Sequence, residues 1–307
     1  MNIGRMVGIS MAFVHLHIYS SYSLLQSTLR PEELVKLAQE KGFQALALTD
    51  RNVMYGVIPF YKACLKSGIK PIIGLTADVL GDGNHSYPMI FLAKNNQGFQ
   101  NLIKISSAIQ TKSPEGIPLQ WLKHYVEGLF AISPGKEGEI EQLLLAGKSE
   151  EAKEKIRMFK QLFAPSSFYL SIQNFSYTED QLLLEQILQC GEELDVPVVA
   201  TNKTCYGAKE DFDAWKALEA IRLNTLMKDL DHSYLEKEYY FKSRKEIEEI
   251  YKNYPDQLEN TVRIAEQCNV EIAFHQELLP KYPLEAKTAD EYLTELCEKG
   301  LHERVAN

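Results

Sequence analysis

The sequence predicts an α/β protein, and three observations predict it. From about residue 11 to about residue 202, short β-rich runs alternate with amphipathic segments, the pattern of parallel strands joined by crossover helices. The count comes to about seven strand–helix units, which suits a closed or nearly closed parallel barrel with chemistry at the ends of its strands. No Gly-rich dinucleotide or Walker fingerprint follows any strand, which weakens the alternative of an open doubly wound sheet that binds a nucleotide.

Taken in order, Ala12 to His17 is a strand candidate, followed by a helix with Pro31 in its first turn and Gly42 as its C-terminal stop. Ala45 to Leu48 is the next strand and ends in Thr49-Asp50. A helix from about Tyr55 to Leu65 carries Val57, Ile58, Tyr61, Cys64 and Leu65 as one apolar stripe. Further strands are expected at Lys70 to Leu75, Met89 to Ala93, Leu129 to Ser133, Phe168 to Ile172 and Val198 to Thr201. Between them run helices near Phe99 to Ile109, Gly138 to Leu145, Glu150 to Phe163 and Glu179 to Leu194.

Beyond Asn202 the pattern is helical: Asp211 to Leu223, then Arg244 to Tyr254 behind a Ser243/Glu246 capping box, then Asp256 to Cys268. Leu279-Pro280-Lys281-Tyr282-Pro283 is an extended breaker. A last helix starts at Thr288 with Glu291 as its capping partner, and its apolar face of Tyr292, Leu293, Leu296 and Leu301 has no sequence left to bury it.

Composition bounds the function. The chain has 307 residues, 45% hydrophobic and 24% charged, with a net charge of -9. That field repels phosphate backbones and anionic lipid, so strong autonomous nucleic-acid binding and membrane binding are not expected. Five scattered cysteines without a CxxC read as reduced thiols of a cytoplasmic protein. No apolar stretch nears the roughly 20 residues that span a bilayer.

Several residues stand where barrel chemistry is expected. His15 and His17 lie two apart on the first strand, so a period of two puts both imidazoles on one face, where a pair ligates a metal or a phosphate or is simply buried. Asp50 ends the second strand, either as a turn cap or as a site group, and Arg51 follows. Lys203 and Cys205 stand in the loop after the last strand, which a closed barrel returns to the first. His15, His17, Arg51 and Lys203 together suggest an electropositive mouth able to hold an anion. Trp215 and Tyr206 read as core or interface, Asp82-Gly83 as a turn, and His85, His124, His232, His275 and His302 as scattered histidines without ligand spacing.

The motifs His15-Leu16-His17, Tyr22-Ser23-Leu24-Leu25, Leu48-Thr49-Asp50, Gly68 to Gly74, Val199-Ala200-Thr201-Asn202 and Leu279 to Pro283 together resemble a known family. It is the polymerase-and-histidinol-phosphatase (PHP) domain at the N-terminus of bacterial DNA polymerase III alpha subunits, DnaE type, most similar to that of low-GC Gram-positive bacteria. The resemblance implies a distorted seven-stranded (β/α) barrel of PHP type with a C-terminal helical extension. It places an N-terminal extension at residues 1–10, the PHP domain at 11–270, and a linker with the start of the polymerase palm at 271–307. It also implies a parent chain that is a DNA polymerase, a nucleotidyltransferase whose own site uses magnesium. Its partners are the remaining polymerase domains, primer–template DNA and a sliding clamp, and the fragment itself has no cofactor.

Hydrolytic members of the family use a metal cluster, and here the pattern departs. His15 and His17 match, but Gln26 replaces an aspartate, Arg51 a histidine, Thr76 a glutamate, Pro88 a histidine and Gly135 a cysteine. Lys203 replaces an aspartate and Cys205 a histidine. Each cation opposes a unit charge at about 4 Å by about 4 kcal/mol at an effective dielectric near 20, and a dication by twice that. The expectation is a degenerate site of His15, His17, Gln26, Asp50, Arg51, Thr76, Lys203 and Cys205 with no phosphoesterase activity and no metal, His15, His17 and Cys205 being the weak candidate ligands. The alternatives are an active metal-dependent PHP phosphoesterase or exonuclease, or an anion-binding pocket.

Overall fold

A computed structural model describes residues 13–81, 85–174, 178–230, 237–274, 283–284 and 287–305. Residues 1–12, Asp82-Gly83, His232, His275 and Leu279 to Tyr282 lie outside the described residues. The chain divides into two compact units, Met1–Glu271 and Ile272–Asn307.

The first unit is built on one seven-stranded sheet: β1 (Ala45–Leu48), β2 (Lys70–Leu80), β3 (Ser86–Ala93), β4 (Ile117–Pro118), β5 (Leu129–Ile132), β6 (Phe168–Ile172) and β7 (Val198–Ala200). The order is β1-β2-β3-β5-β6-β7, with β4 on β2. Two neighbours break the expected parallel pattern, because β2 with β3 and β3 with β5 pair antiparallel. The cause is the extra length of β2, which runs on to Leu80 and folds straight back as a hairpin instead of crossing over through a helix.

The expected first strand is no ladder strand. Residues 13–19 are irregular apart from one bridge, Ile18 to Thr204. The segment nonetheless joins the two sheet edges. On one side the His15 and Ile18 carbonyls accept from Ala47 N (3.0 Å) and Thr49 N (2.8 Å); on the other the His17 carbonyl accepts from Thr204 N (3.0 Å) and Tyr19 N donates to the Thr204 carbonyl (2.9 Å). The sheet is therefore curled round and closed through this segment into a distorted barrel.

Helices cover the outside: α1 (Pro31–Glu40), α2 (Val57–Ser67), α3 (Asn96–Thr111), α4 (Leu119–Leu122), α5 (Glu139–Leu145), α6 (Ser149–Leu162) and α7 (Thr178–Leu194). Asn95 caps α3 by accepting from Gly98 N at 3.0 Å. In α2 the expected stripe is corrected, since Ile58 and Leu65 are 40% and 45% exposed while Phe60, Val57, Tyr61 and Cys64 are buried.

After the barrel come α8 (Phe212–Arg222), α9 (Arg244–Ile250) behind its Ser243/Glu246 capping box, and α10 (Pro255–Gln267). Trp215 and Tyr206 are core, packed in one aromatic cluster with Tyr239, which meets Trp215 edge-to-face. α10 closes the starting end of the strands: Ile264, Ala265 and Cys268 pack with Val14, Leu16, Ala47, Ile90 and Phe130, and Thr261 Oγ1 accepts from Val14 N at 3.0 Å. In the second unit α11 (Ala289–Val305) opens with the reciprocal Thr288/Glu291 cap and leaves Leu293, Leu296 and Leu301 exposed. Among the described residues no helix is long and apolar enough to cross a membrane.

Candidate functional site

The site lies where β1, β2 and β7 end, facing the loop between β5 and α5. Asp50, at the end of β1, accepts from Ser20 N (2.6 Å), Ser20 Oγ (2.7 Å) and Ser23 Oγ (2.6 Å), which folds the 20–26 loop over the mouth. Burial pushes its carboxyl above the ordinary value, against the Ser23 and Ser20 hydroxyls that pull it down. A Cβ at Gly56 would stand 2.8 Å from Asp50 Oδ2, so only glycine admits this approach. These bonds make Asp50 the anchor of the 20–26 turn.

Arg51 leaves the same strand end. It forms a two-pronged pair with Asp78 (Nη2 to Oδ1 2.9 Å, Nε to Oδ2 3.3 Å), and its Nη1 stands 3.9 Å from Glu137 Oε2. Asn52 braces Asp78 from the other side at 2.7 Å. Lys203 arrives from the loop after β7 and pairs directly with Glu137 Oε1, its ammonium held over the rings of Tyr19 (5.4 Å) and Tyr239 (5.0 Å). Burial works against the Lys203 charge, but Glu137 together with Tyr19 and Cys205 outweighs it and holds the ammonium above its usual range. Burial likewise opposes the Glu137 charge, and Lys203 and then Arg51 bring that carboxyl down to about 2.

Glu137 and Asp78 are the residues that sequence reasoning missed. Asp78 is a charge two places beyond Thr76, in a strand that from Pro71 to Leu80 is otherwise apolar apart from Thr76, a readable signal. Glu137 sits in Pro134-Gly135-Lys136-Glu137-Gly138, a loop whose turn depends on Gly135 at φ 88°, where a Cβ would stand 2.5 Å from Gln173. A carboxylate in that loop was visible, but not its direction.

The two histidines do not share a face. The His15 carbonyl accepts from the β1 side and the His17 carbonyl from the opposite side, whereas a two-residue period puts both on one edge. His15 is packed among Phe13, Phe43 and Phe241, with Nε2 3.0 Å from the Lys242 carbonyl. His17 instead lies edge-on to Tyr19 (centroids 5.3 Å apart) beside Lys203, Glu137 and Arg51. Burial lowers both imidazoles to about 3, for His15 against the pull of the Lys242 carbonyl and for His17 with help from Lys203, so both are neutral. The expected electropositive mouth of four groups is thus corrected: His15 is elsewhere, and the Arg51 and Lys203 charges are answered internally.

The rest of the expected set is near the mouth but differently employed. Thr76 is fully buried and bridged to Arg51 through the backbone. The Gln26 carbonyl accepts from Trp215 Nε1 at 3.0 Å. Cys205 is buried, which pushes its thiol up to about 12 and leaves it protonated. Tyr19, Gln26, Arg51, Glu137, Lys203 and Cys205 share a cavity of about 510 Å³ with side chains of α8, among them Glu219 and Arg222.

A PHP domain family model matches residues 15–175, just over half of the chain, which takes in Arg51, Asp78 and Glu137 of this mouth. The chain belongs to the PHP family. DNA polymerase III subunit alpha of Bacillus subtilis is 45% identical over 297 residues, 96% of this chain and 26% of that protein. The protein of the same name from Halalkalibacterium halodurans is 35% identical with the same coverage. The chain therefore spans about a quarter of the length of these relatives. Among solved structures, an amidohydrolase from Chromobacterium violaceum aligns at TM-score 0.46 and 12% identity over 67% of this chain and 97% of that one.

A PHP fold raises the matter of metal, and the donor set answers it. Among the described residues no three His, Cys, Asp or Glu side chains are grouped to hold a metal ion. Among the described residues, Glu137, the carboxylate beside His17, is taken by two cations. These residues do not fit a divalent ion.

Proposed function

We propose that the chain is the N-terminal PHP module of a DNA polymerase III alpha subunit, in which the family's metal site has become an ion-paired tie and hydrolyses no phosphoester. The observation that carries this reading is the convergence of Lys203 and Arg51 on Glu137. In it, two cations stand where catalysis by a metal cluster needs anionic or neutral donors, and the salt links join the ends of β1, β2 and β7 to the β5–α5 loop. Its role is to buttress the polymerase, in the cytoplasm. The exposed run Ile221, Leu223, Leu226 and Met227 gives it apolar surface to set against the remaining polymerase domains. Nucleotidyl transfer with magnesium, and contacts with primer–template DNA and the sliding clamp, belong in this reading to those other domains.

Metal content by inductively coupled plasma mass spectrometry tests it, on protein prepared without chelator or affinity tag and with a His15→Ala/His17→Ala control. Under about one tenth of an equivalent of zinc, manganese or iron is expected. About two equivalents, lost in the control, would instead make the protein a metal-dependent phosphoesterase.

A further inference from the structure

The β5–α5 loop that delivers Glu137 is folded against a buried acid. Glu141, in the first turn of α5, is fully buried, and neither carboxyl oxygen completes a hydrogen bond among the described residues. Its side chain turns back onto the loop: a Cβ at Gly138 would collide with Glu141 Oε2 and stand 2.8 Å from Pro134 Cδ. Glu141, Ser133 and Pro134 line one cavity of about 10 Å³ with Val79, Pro88 and Phe159, which leaves no space for a hydration shell. Gly138 N donates to the Gly135 carbonyl at 2.7 Å and closes the turn.

Such a place suits an uncharged acid and not a carboxylate. Burial pushes the Glu141 carboxyl up to about 7, against the Ser133 hydroxyl and the N–H groups of Glu141 and Gly135, which favour the charge. Around it, Tyr87 of β3 lines the same cavity, and Glu139 of its own helix stands 2.9 Å from Lys155 Nζ of α6. Lys136 and Glu137 belong to the loop itself, and α7 sets Leu183 and Leu184 beside Gly135 and Lys136. The tie does not titrate near neutrality, with Glu137 held down to about 2, His17 down to about 3 and Lys203 above its usual range.

We infer that Glu141 is a pH-sensitive support of the Glu137 loop: uncharged, it packs against Gly138 and Pro134 and keeps Glu137 on Lys203 and Arg51; charged, it moves to solvent, carries the loop with it and takes the tie apart. The inference rests on the reading of the mouth as an ion-paired tie. Its sign follows from linkage. With the loop open Glu141 ionises near 4.5, and with the loop closed only near 7, so opening rises about tenfold per pH unit between those values, about 300-fold in all, and then levels off.

Hydrogen exchange of residues 133–141 tests it, followed by mass spectrometry at pH 5, 6, 7 and 8 and divided by the intrinsic rates, on the chain and on Glu141→Gln, which keeps the shape and does not ionise. Wild-type opening should grow about tenfold per unit from pH 5 to 7 and flatten by pH 8, against a flat profile in Glu141→Gln. Should the variant not fold, the wild-type slope and its plateau still decide. A flat wild-type profile would overturn the switch and leave the tie standing, since the tie is judged by metal content. The same slope in both chains would overturn Glu141 as its source. Opening that grows towards low pH would assign the response to His17 and overturn the inference as well.

Discussion

The two ends of the barrel are built on opposite principles. At the closed end, α10 presents Ile264, Ala265 and Cys268 to Val14, Leu16 and Phe130, and the polar groups there are answered locally, as by Thr261 for Val14 N and by Asn260 Nδ2 for the Val198 carbonyl at 2.8 Å. At the mouth, fully buried positions carry His17, Thr76 and Thr201, and the surrounding charges are held by one another. Apolar packing stabilises by area removed from water, whereas buried ion pairs roughly offset their own desolvation. The contrast teaches that apolar packing at the closed end carries most of the stability, while the ion pairs at the mouth set the geometry of the strand ends.

The largest expected effect tests the closed end. Ile264→Ala removes a fully buried side chain at the centre of that cluster, so urea unfolding should show a loss of about 2–5 kcal/mol. A loss under about 1 kcal/mol would mean that the closed end is not the main store of stability, and the comparison would break there.

Acid sharpens the comparison next. His15 and His17 have folded values near 3 against 6.5 when unfolded, so below pH 6.5 the unfolded chain binds protons that the native chain refuses. Stability should fall as pH drops from 6.5 towards 3, by up to about 1.4 kcal/mol per pH unit for each histidine. Glu137, whose folded value is depressed from 4.5 to about 2, adds its loss only below pH 4.5. Unfolding curves at pH 7, 6 and 5 check this. Glu141, whose buried carboxyl is raised from 4.5 to about 7, binds its proton on folding over the same range and offsets about one histidine, so His17→Leu should remove most of the net slope, and an unchanged slope would show that this imidazole is not held neutral.

Much of this architecture was legible. Alternating patterns located β1, β5, β6 and β7, and the Ser243/Glu246 and Thr288/Glu291 pairs marked two helix starts that the structure shows as reciprocal caps. What failed was what local pattern does not encode. The long β2 turned back on itself, so two pairings are antiparallel, and a break near Leu16 sent His15 into an aromatic pocket away from His17. Arg51 and Lys203 were readable as mouth residues, but their common partner Glu137 comes from a loop more than sixty residues before Lys203, and only the closed sheet brings it there.

The tie itself gives the smallest and most discriminating effect, because its partners are unequally buried. The Lys203 side chain is 10% exposed and that of Glu137 40%. Glu137→Gln leaves an ammonium inside with a neutral amide oxygen and the Tyr19 and Tyr239 faces as company, whereas Lys203→Met leaves a carboxylate that still reaches solvent and Arg51. Discounted for the solvent around Glu137, Lys203→Met should cost about 1 kcal/mol and Glu137→Gln about 2, with the double variant recovering part of the sum. Urea unfolding of the two single variants and the double variant measures the coupling. A coupling of about 1 kcal/mol with that asymmetry supports a tie that sets geometry at modest net stability. Equal costs, or none, would mean that solvent reaches Lys203 as freely as Glu137, and the mouth would then be an open charged surface in place of a lidded interior.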